Sequence, residues 1–431
     1  MTDDTSRNDP ADEVPDDAPT NEAPNDAPID ETPDDVPRYG PNRQQAVYSR
    51  GMLEDEPPEF PVSYEDLVER AREELSEEAF AYVVGGAGSE STVRANDRAF
   101  ETWQIVPRML RDVSDRDLSV DLFGTEYPAP VLLAPIGVQE ILHEEAELAV
   151  ARAAREFGIP MVLSSVSSYT FEDVADELGD SPGWFQLYWS ADRDVAASFL
   201  ERAEDAGYEA VVVTLDTPKM GWRERDIELG YLPFLETQGL QNYFADPAFR
   251  ARLEADPEDD PVSAIRSWKE CFGDASLTWE DLDWLDEQTD LPIVLKGVLH
   301  PDDAREAVDR GVDGLIVSNH GGRQVDGAIP ALDALPDVVD AVDDTTAADE
   351  EFPVLFDSGI RRGSDVFRAV ALGADAVLLG RPYALGLGIG GEDGVRAVLE
   401  NLLADVDLTV GLSGCASIDD VDRSNLWRAE R

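Results

Sequence analysis

Positive charge is scarce in this chain. Its 431 residues include three lysines (Lys219, Lys269 and Lys296) and three histidines, and 34 lysines and arginines face 93 aspartates and glutamates. The formal net charge is −59; the first 37 residues account for −12 of it, and −47 lies on the rest. A surface of that sign argues against nucleic acid or anionic membranes as partners. It is what a protein kept soluble in concentrated salt requires, because screening within ~3 Å near 1 M removes self-repulsion. A halophilic source is therefore expected. Cysteine is nearly absent too: Cys271 and Cys415 form no CxxC pair. No Cys/His cluster has metal-ligand spacing, so neither a disulfide framework nor a metal site is expected. No run of 18 apolar residues occurs, which argues against a membrane-spanning helix. Met1-Thr2-Asp3-Asp4 lacks the basic and apolar regions of a secretory leader. The cytoplasm is the expected location.

Residues 1–37 repeat Asp, Ala, Pro and Thr with almost nothing apolar to offset the entropy of ordering. They read as a disordered acidic tail ahead of one domain, 38–431. From Ser63 the pattern turns helical, with Ser63-Tyr64-Glu65-Asp66 opening like a capping box and the segment ending at Tyr82-Val83-Val84-Gly85-Gly86. A regular alternation follows. Apolar runs of strand length occur at Val131–Ala134, Met161–Leu163, Trp184–Leu187, Ala210–Leu215, Ile293–Leu295, Leu315–Val317, Val354–Phe356 and Ala376–Leu379. Between them lie stretches of helical period such as Glu144–Phe157, Phe171–Leu178, Val195–Ala206, Pro301–Arg310 and Ser364–Leu372. Eight buried strands alternating with amphipathic helices predict an α/β fold, a (β/α)8 TIM barrel with an N-terminal helical segment. The span Lys219–Glu287 after the fourth strand is too long for an ordinary loop. Its Tyr, Phe, Trp and Pro content suits a lid over the mouth.

In such a barrel the active site collects where the strands end. Here those ends are polar: Pro135-Ile136-Gly137, Ser164, Gln186 with Tyr188, Thr214 with Asp216 and Thr217, Lys296, Ser318 with His320, Asp357-Ser358-Gly359, and Gly380-Arg381. A base, cations, a carboxylate and amide donors would share one mouth. Asp216 suits the role of holding the imidazolium of His320, and Lys296 that of facing a group that becomes anionic. Gly359 with Arg361, and Gly380 with Arg381, leave the last two strands, where these barrels often bind phosphate, so a phosphorylated cofactor is expected. Gly386-Leu387-Gly388-Ile389-Gly390-Gly391 matches GxGxxG but does not open a βαβ unit, and is read as a packing run.

The run Ser318-Asn319-His320-Gly321-Gly322-Arg323-Gln324, with Leu215-Asp216-Thr217, Leu295-Lys296-Gly297 and Asp357-Ser358-Gly359-Ile360-Arg361, resembles the FMN-dependent L-2-hydroxy-acid oxidase and dehydrogenase family. The likeness spans about Tyr64 to Tyr383. It implies FMN as cofactor, a small 2-hydroxy acid as substrate, molecular oxygen or another electron acceptor, and a homo-oligomer, a tetramer. It further implies that His320 is the base and Asp216 its partner, that Arg223 and Arg323 bind the substrate carboxylate, and that Tyr82 and Tyr188 offer hydroxyls. Lys296 would stabilise the reduced flavin. FMN contacts would come from Pro135, Ile136, Gly137, Ser164, Gln186, Thr214, Lys296, Ser318, Asp357, Ser358, Gly359, Ile360, Arg361, Gly380 and Arg381. Within the family, Gly85-Gly86-Ala87, Gly221-Trp222-Arg223 and the insertion with Pro233-Phe234-Leu235 and Asn242-Tyr243 look most like lactate 2-monooxygenase. Val83 and Val166 stand where relatives often carry aromatics that shape the substrate pocket.

Overall fold

The computed structural model describes residues 39–347 and 351–429, so the expected acidic tail lies outside the described residues. Each expected apolar run forms a strand: β1 (Val131–Leu133), β2 (Met161–Ser164), β3 (Gly183–Leu187), β4 (Val211–Thr214), β5 (Ile293–Val298), β6 (Gly314–Val317), β7 (Val354–Phe356) and β8 (Ala376–Leu379). All neighbours pair in parallel, and β8 closes the barrel on β1 with Val377 opposite Val131. The fold is the (β/α)8 barrel that the alternation predicts.

Side chains on a strand alternate between faces, and here the alternation sorts chemistry as well as direction. Leu132, Val162, Trp184, Val212, Val294, Ile316, Leu355 and Leu378 point inward as one buried apolar cluster. Burying an aliphatic chain of this kind stabilises the fold by roughly 1.5–3 kcal/mol. A hairpin of Val120–Leu122 and Thr125–Tyr127 adds Leu122 and Tyr127 to that cluster, and Trp184 Nε1 donates to the Tyr127 hydroxyl at 3.3 Å. The outward residues of the same strands, such as Leu133, Leu163, Phe185 and Val213, meet the surrounding helices in the larger core.

The helices Ala146–Phe157, Phe171–Leu178, Arg193–Asp205, Pro301–Asp309 and Gly363–Ala371 lie where helical period is expected. Ala331–Thr345 follows β6, and Arg381–Leu412 follows β8. That last helix breaks at Gly390 and Gly391, so the GxGxxG run is a packing device: a Cβ on Gly386 would lie 2.6 Å from the Gly394 carbonyl oxygen. The N-terminal segment expected as one helix is two, Tyr64–Glu74 and Glu77–Val84. Ser63 caps the first through Asp66 N–H, and Ser76 interrupts by capping the second through Ala79 N–H, both at 3.1 Å. The insertion between β4 and β5 is largely helical, with Pro261–Cys271 its longest element. Among the described residues no helix is long and apolar enough to cross a membrane.

Candidate active site

Two residues beyond each apolar floor residue, the strands present Ala134, Ser164, Gln186, Thr214, Lys296, Ser318, Asp357 and Gly380 at the C-terminal mouth. Six of the eight are polar or charged, and all six are buried. They form connected groups. Lys296 Nζ lies 3.0 Å from Asp357 Oδ2 and donates to Ser318 Oγ at 3.0 Å. Burial alone would drive this ammonium towards neutrality, but Asp357 and Asp216 outweigh it and hold its pKa above the ordinary lysine value. Gln186 Oε1 accepts from Ser164 Oγ at 3.1 Å and from Ser165 N–H at 3.3 Å.

The loop after β6 is shaped by its own backbone. His320, Gly321 and Gly322 have φ of 57°, 62° and 77°, an unfavourable region for histidine that the surroundings enforce. Ser358 Oγ accepts from Asn319 N–H at 3.1 Å and Gly321 N–H at 2.9 Å, while Ser318 Oγ accepts from His320 N–H at 3.0 Å. The imidazole is thereby placed against the β4 exit, with Nδ1 2.7 Å from Asp216 Oδ1. Thr217 Oγ1 donates to the same carboxylate oxygen at 3.0 Å. Nδ1 is engaged, which leaves Nε2 for the cleft. Burial lowers the His320 pKa, with Asp216 opposing; burial raises that of Asp216, but the charges of His320 and Lys296 outweigh it and keep the carboxylate ionised.

Three arginines gather beside this loop. Arg323 Nη1 donates to the carbonyls of Tyr82 and Gly85, and its Cζ sits 5.0 Å above the Tyr82 ring. Burial, then the neighbouring charge of Arg223, pushes its pKa down to about 9. Arg381 is held by the carbonyls of Val83, Gly321 and Gly85 at 3.1, 3.0 and 2.9 Å. Arg223 donates to the Arg323 carbonyl and to Gln324 Oε1, both at 3.3 Å. None of these three forms an ion pair among the described residues. Guanidinium groups that are buried (Arg223) or half-buried (Arg323, Arg381) and satisfied only by neutral oxygens are a site in want of an anion. Arg361 differs: its Nη1 meets Asp97 Oδ1 at 2.5 Å and it stacks on Tyr64 at 4.3 Å.

One cleft, open to solvent, joins these groups. Tyr82, Pro135, Ile136, Gly137, Tyr188, Thr214, Arg223, Lys296, His320, Arg323, Asp357, Ser358, Gly359, Ile360, Arg361, Gly380 and Arg381 line it. Ser164, Gln186, Ser318 and Asp216 do not line it; Ser318 and Asp216 stand behind Lys296 and His320, which they contact. Sequence reasoning missed Met220 and Phe272, which come from the insertion and also line the cleft. Phe272 lies 5.1 Å from the Tyr188 ring, and no periodicity marks either residue. Trp222, by contrast, is 68% exposed and is not among the lining residues.

The donor set fits FMN. Thr214 Oγ1, on the cleft and on the strand next to that of Lys296, is buried without a partner among the described residues, as is Gln186 Nε2 on the strand beyond, so the floor offers donors to a ligand rich in acceptors. Above Gly380 a Cβ would meet only Ala134, at 3.8 Å, so the strand end is an open cradle next to Arg381. Those residues could hold a flavin ring and a phosphate respectively.

A family model for FMN-dependent dehydrogenase matches residues 71–428. The chain is 45% identical over 388 residues to an FMN-dependent alpha-hydroxy acid dehydrogenase of Penicillium citrinum, covering 89% of this chain and 95% of that one. It is 44% identical over 360 residues to an L-lactate oxidase of Lysinibacillus sphaericus, covering 84% and 91%. A crystal structure of mandelate oxidase with (S)-4-hydroxymandelic acid superposes with a TM-score of 0.75 at 42% identity, covering 85% of this chain and 98% of that one. The chain therefore belongs to the FMN-dependent dehydrogenase family and is an FMN-dependent α-hydroxy-acid oxidoreductase.

Proposed function

We propose that this enzyme oxidises L-lactate with molecular oxygen and keeps the keto acid bound, so that lactate and O2 leave as acetate, CO2 and water. The observation that carries the reading is the His320–Asp216 pair, its free nitrogen on the same cleft as Arg223 and Arg323, which have no carboxylate partner among the described residues. Arg323 and Arg223 receive the substrate carboxylate and fix C2. Tyr188, its pKa pushed up to about 12 by burial and by Asp216, stays protonated and donates from its hydroxyl; the Tyr82 side chain lines the same cleft and offers a second hydroxyl. His320 Nε2 accepts the proton of the substrate hydroxyl while C2 gives up its hydrogen with two electrons. Asp216 steadies the imidazolium that results. FMN supplies the two-electron acceptor, and Lys296 sets a positive charge where negative charge builds.

Retention of pyruvate is supported by the insertion. Phe234, Phe272 and Met220 reach from it into the cleft wall. Gly239 N–H donates to Glu140 Oε1 at 2.8 Å, and Asn242 Nδ2 to Ser167 Oγ at 2.7 Å, fastening the cover to the loops after β1 and β2. A fastened cover slows product release, and slow release is what separates oxygenation of the product from its escape. The −47 on the body fits operation in concentrated salt. The test is product analysis with L-lactate in air at high salt, where acetate and CO2 should dominate. Stoichiometric pyruvate and H2O2 would make it an oxidase, and dye reduction without oxygen uptake a dehydrogenase.

A further inference from the structure

Gln324 follows the clamp arginine Arg323 and is half-buried at the edge of the cleft. Its amide is used at both ends. Nε2 donates to the backbone carbonyl of Asp216 at 2.8 Å and to that of Lys219 at 2.9 Å. Oε1 accepts from Gly221 N–H at 3.2 Å and from Arg223 Nη2 at 3.3 Å. The orientation is dictated by the partners: two carbonyl oxygens can only accept, and an amide N–H and a guanidinium can only donate. A flipped amide would oppose all four. The backbone around it is equally tight, since a Cβ on Gly221 would lie 2.5 Å from the Arg323 carbonyl and 2.7 Å from that of Gln324.

The four partners belong to three parts of the machinery. Asp216 stands behind the base, Arg223 is one arm of the carboxylate clamp, and Lys219 with Gly221 form the root of the insertion that covers the cleft. We propose that Gln324 is a positioning residue that couples the carboxylate clamp to the cover, so that lifting the root of the insertion releases Arg223 and with it the bound carboxylate. Holding the root down keeps Arg223 aimed, and a carboxylate on Arg223 in turn keeps the root down. Gln324 touches neither substrate nor cofactor and acts only through these neighbours. This inference rests on the roles of His320, Arg223 and Arg323 proposed above, and deepens them.

The experiment compares two replacements in the FMN-loaded enzyme. Gln324→Met preserves length and removes both ends of the amide. Gln324→Glu retains an acceptor for Arg223 and Gly221 but turns an oxygen against the two carbonyls. The readouts are KM for L-lactate, the anaerobic rate of flavin reduction at saturating lactate, and the dissociation rate of pyruvate followed by flavin absorbance. Gln324→Met should raise KM by roughly tenfold or more, the worth of a hydrogen bond to a charged group. It should accelerate pyruvate dissociation by a similar factor, with a smaller fall in the saturated reduction rate. Gln324→Glu should hold KM near the wild-type value while still accelerating pyruvate dissociation, because the clamp is kept and the tie to the root is lost. Unchanged KM and pyruvate dissociation in Gln324→Met would overturn the proposal, as would a fall in the saturated rate alone. Arg223→Met is the control: if it too leaves KM unaltered, the clamp assignment has failed and not the coupling. FMN content and melting temperature are recorded for each variant. Gln324→Glu separates loss of fold from loss of coupling, since a misfolded protein would not preserve KM.

Discussion

Replacing Asp216 by asparagine keeps the shape of the group that holds His320 Nδ1 and removes its charge. The oxygen lies 2.7 Å from Nδ1. Charge centres about 4 Å apart attract by about 4 kcal/mol at an effective dielectric constant of about 20. Only the imidazolium, present once the proton has been taken, feels that attraction in full. The transition state carries part of it, so flavin reduction should slow by roughly 10²–10³-fold at ~1.4 kcal/mol per decade. The pH dependence has a definite sign. Burial lowers the His320 pKa and Asp216 pulls it back up, so without the carboxylate it falls further. The acid-side inflection of kcat/KM should therefore move to lower pH even as the plateau drops. Stopped-flow reduction of the bound FMN by L-lactate without oxygen, from about pH 5 to 9, reads both quantities. An inflection displaced to higher pH, or a plateau within about twofold of wild type, would refute the reasoning.

Two further outcomes test other parts of the fold and site. Glu147 is fully buried, its Oε2 has no hydrogen-bond partner among the described residues, and burial pushes its pKa up to about 7. Against an unfolded value near ~4.3, it adds stability below that pH and loses it as pH rises through about 7, a swing of about 3–4 kcal/mol. Glu147→Gln lacks this loss, so its melting temperature should gain on wild type between about pH 4 and 8; a constant difference would contradict the account. Arg381→Ala and Gly359→Val should both lower FMN content, measured as absorbance per chain after gel filtration. The first removes a buried cation; the second puts a Cβ at φ 127° and 2.8 Å from the Phe100 ring. Full occupancy in both would displace the phosphate from this corner.

The barrel was legible because each strand spells its own two faces. Trp184 then Gln186, Val212 then Thr214, Val294 then Lys296 and Ile316 then Ser318 run from floor to mouth in steps of two, and period alone assigns them to the same side of the sheet. The His320 loop was legible for a related reason: a rare residue type stood directly after a buried run. What stayed hidden depends on distance in the chain. Met220 and Phe272 reach the cleft from opposite ends of the insertion, and nothing local distinguishes an aromatic that faces a ligand from one that fills a core. The break at Leu75 and Ser76 was hidden because a serine cap signals a helix start only when the preceding helix is known to end. Gln324 was visible as a letter of the motif, but its four hydrogen bonds reach residues about a hundred positions away, beyond any local pattern.

Arg381 bonds the Val83 carbonyl across 298 positions of sequence, and β8 must pair with β1 before the two meet. A ribosome adding about 5–20 residues per second needs roughly 15–60 s to make the chain between them. Until β8 is made the barrel cannot close, because β1 and β7 each depend on it for one of their two neighbours. The corner built on Arg381 is incomplete until β8 has been made. Loss of β8, the last barrel strand, would cost the cleft its Arg381 corner at the same moment as it costs the barrel its closure.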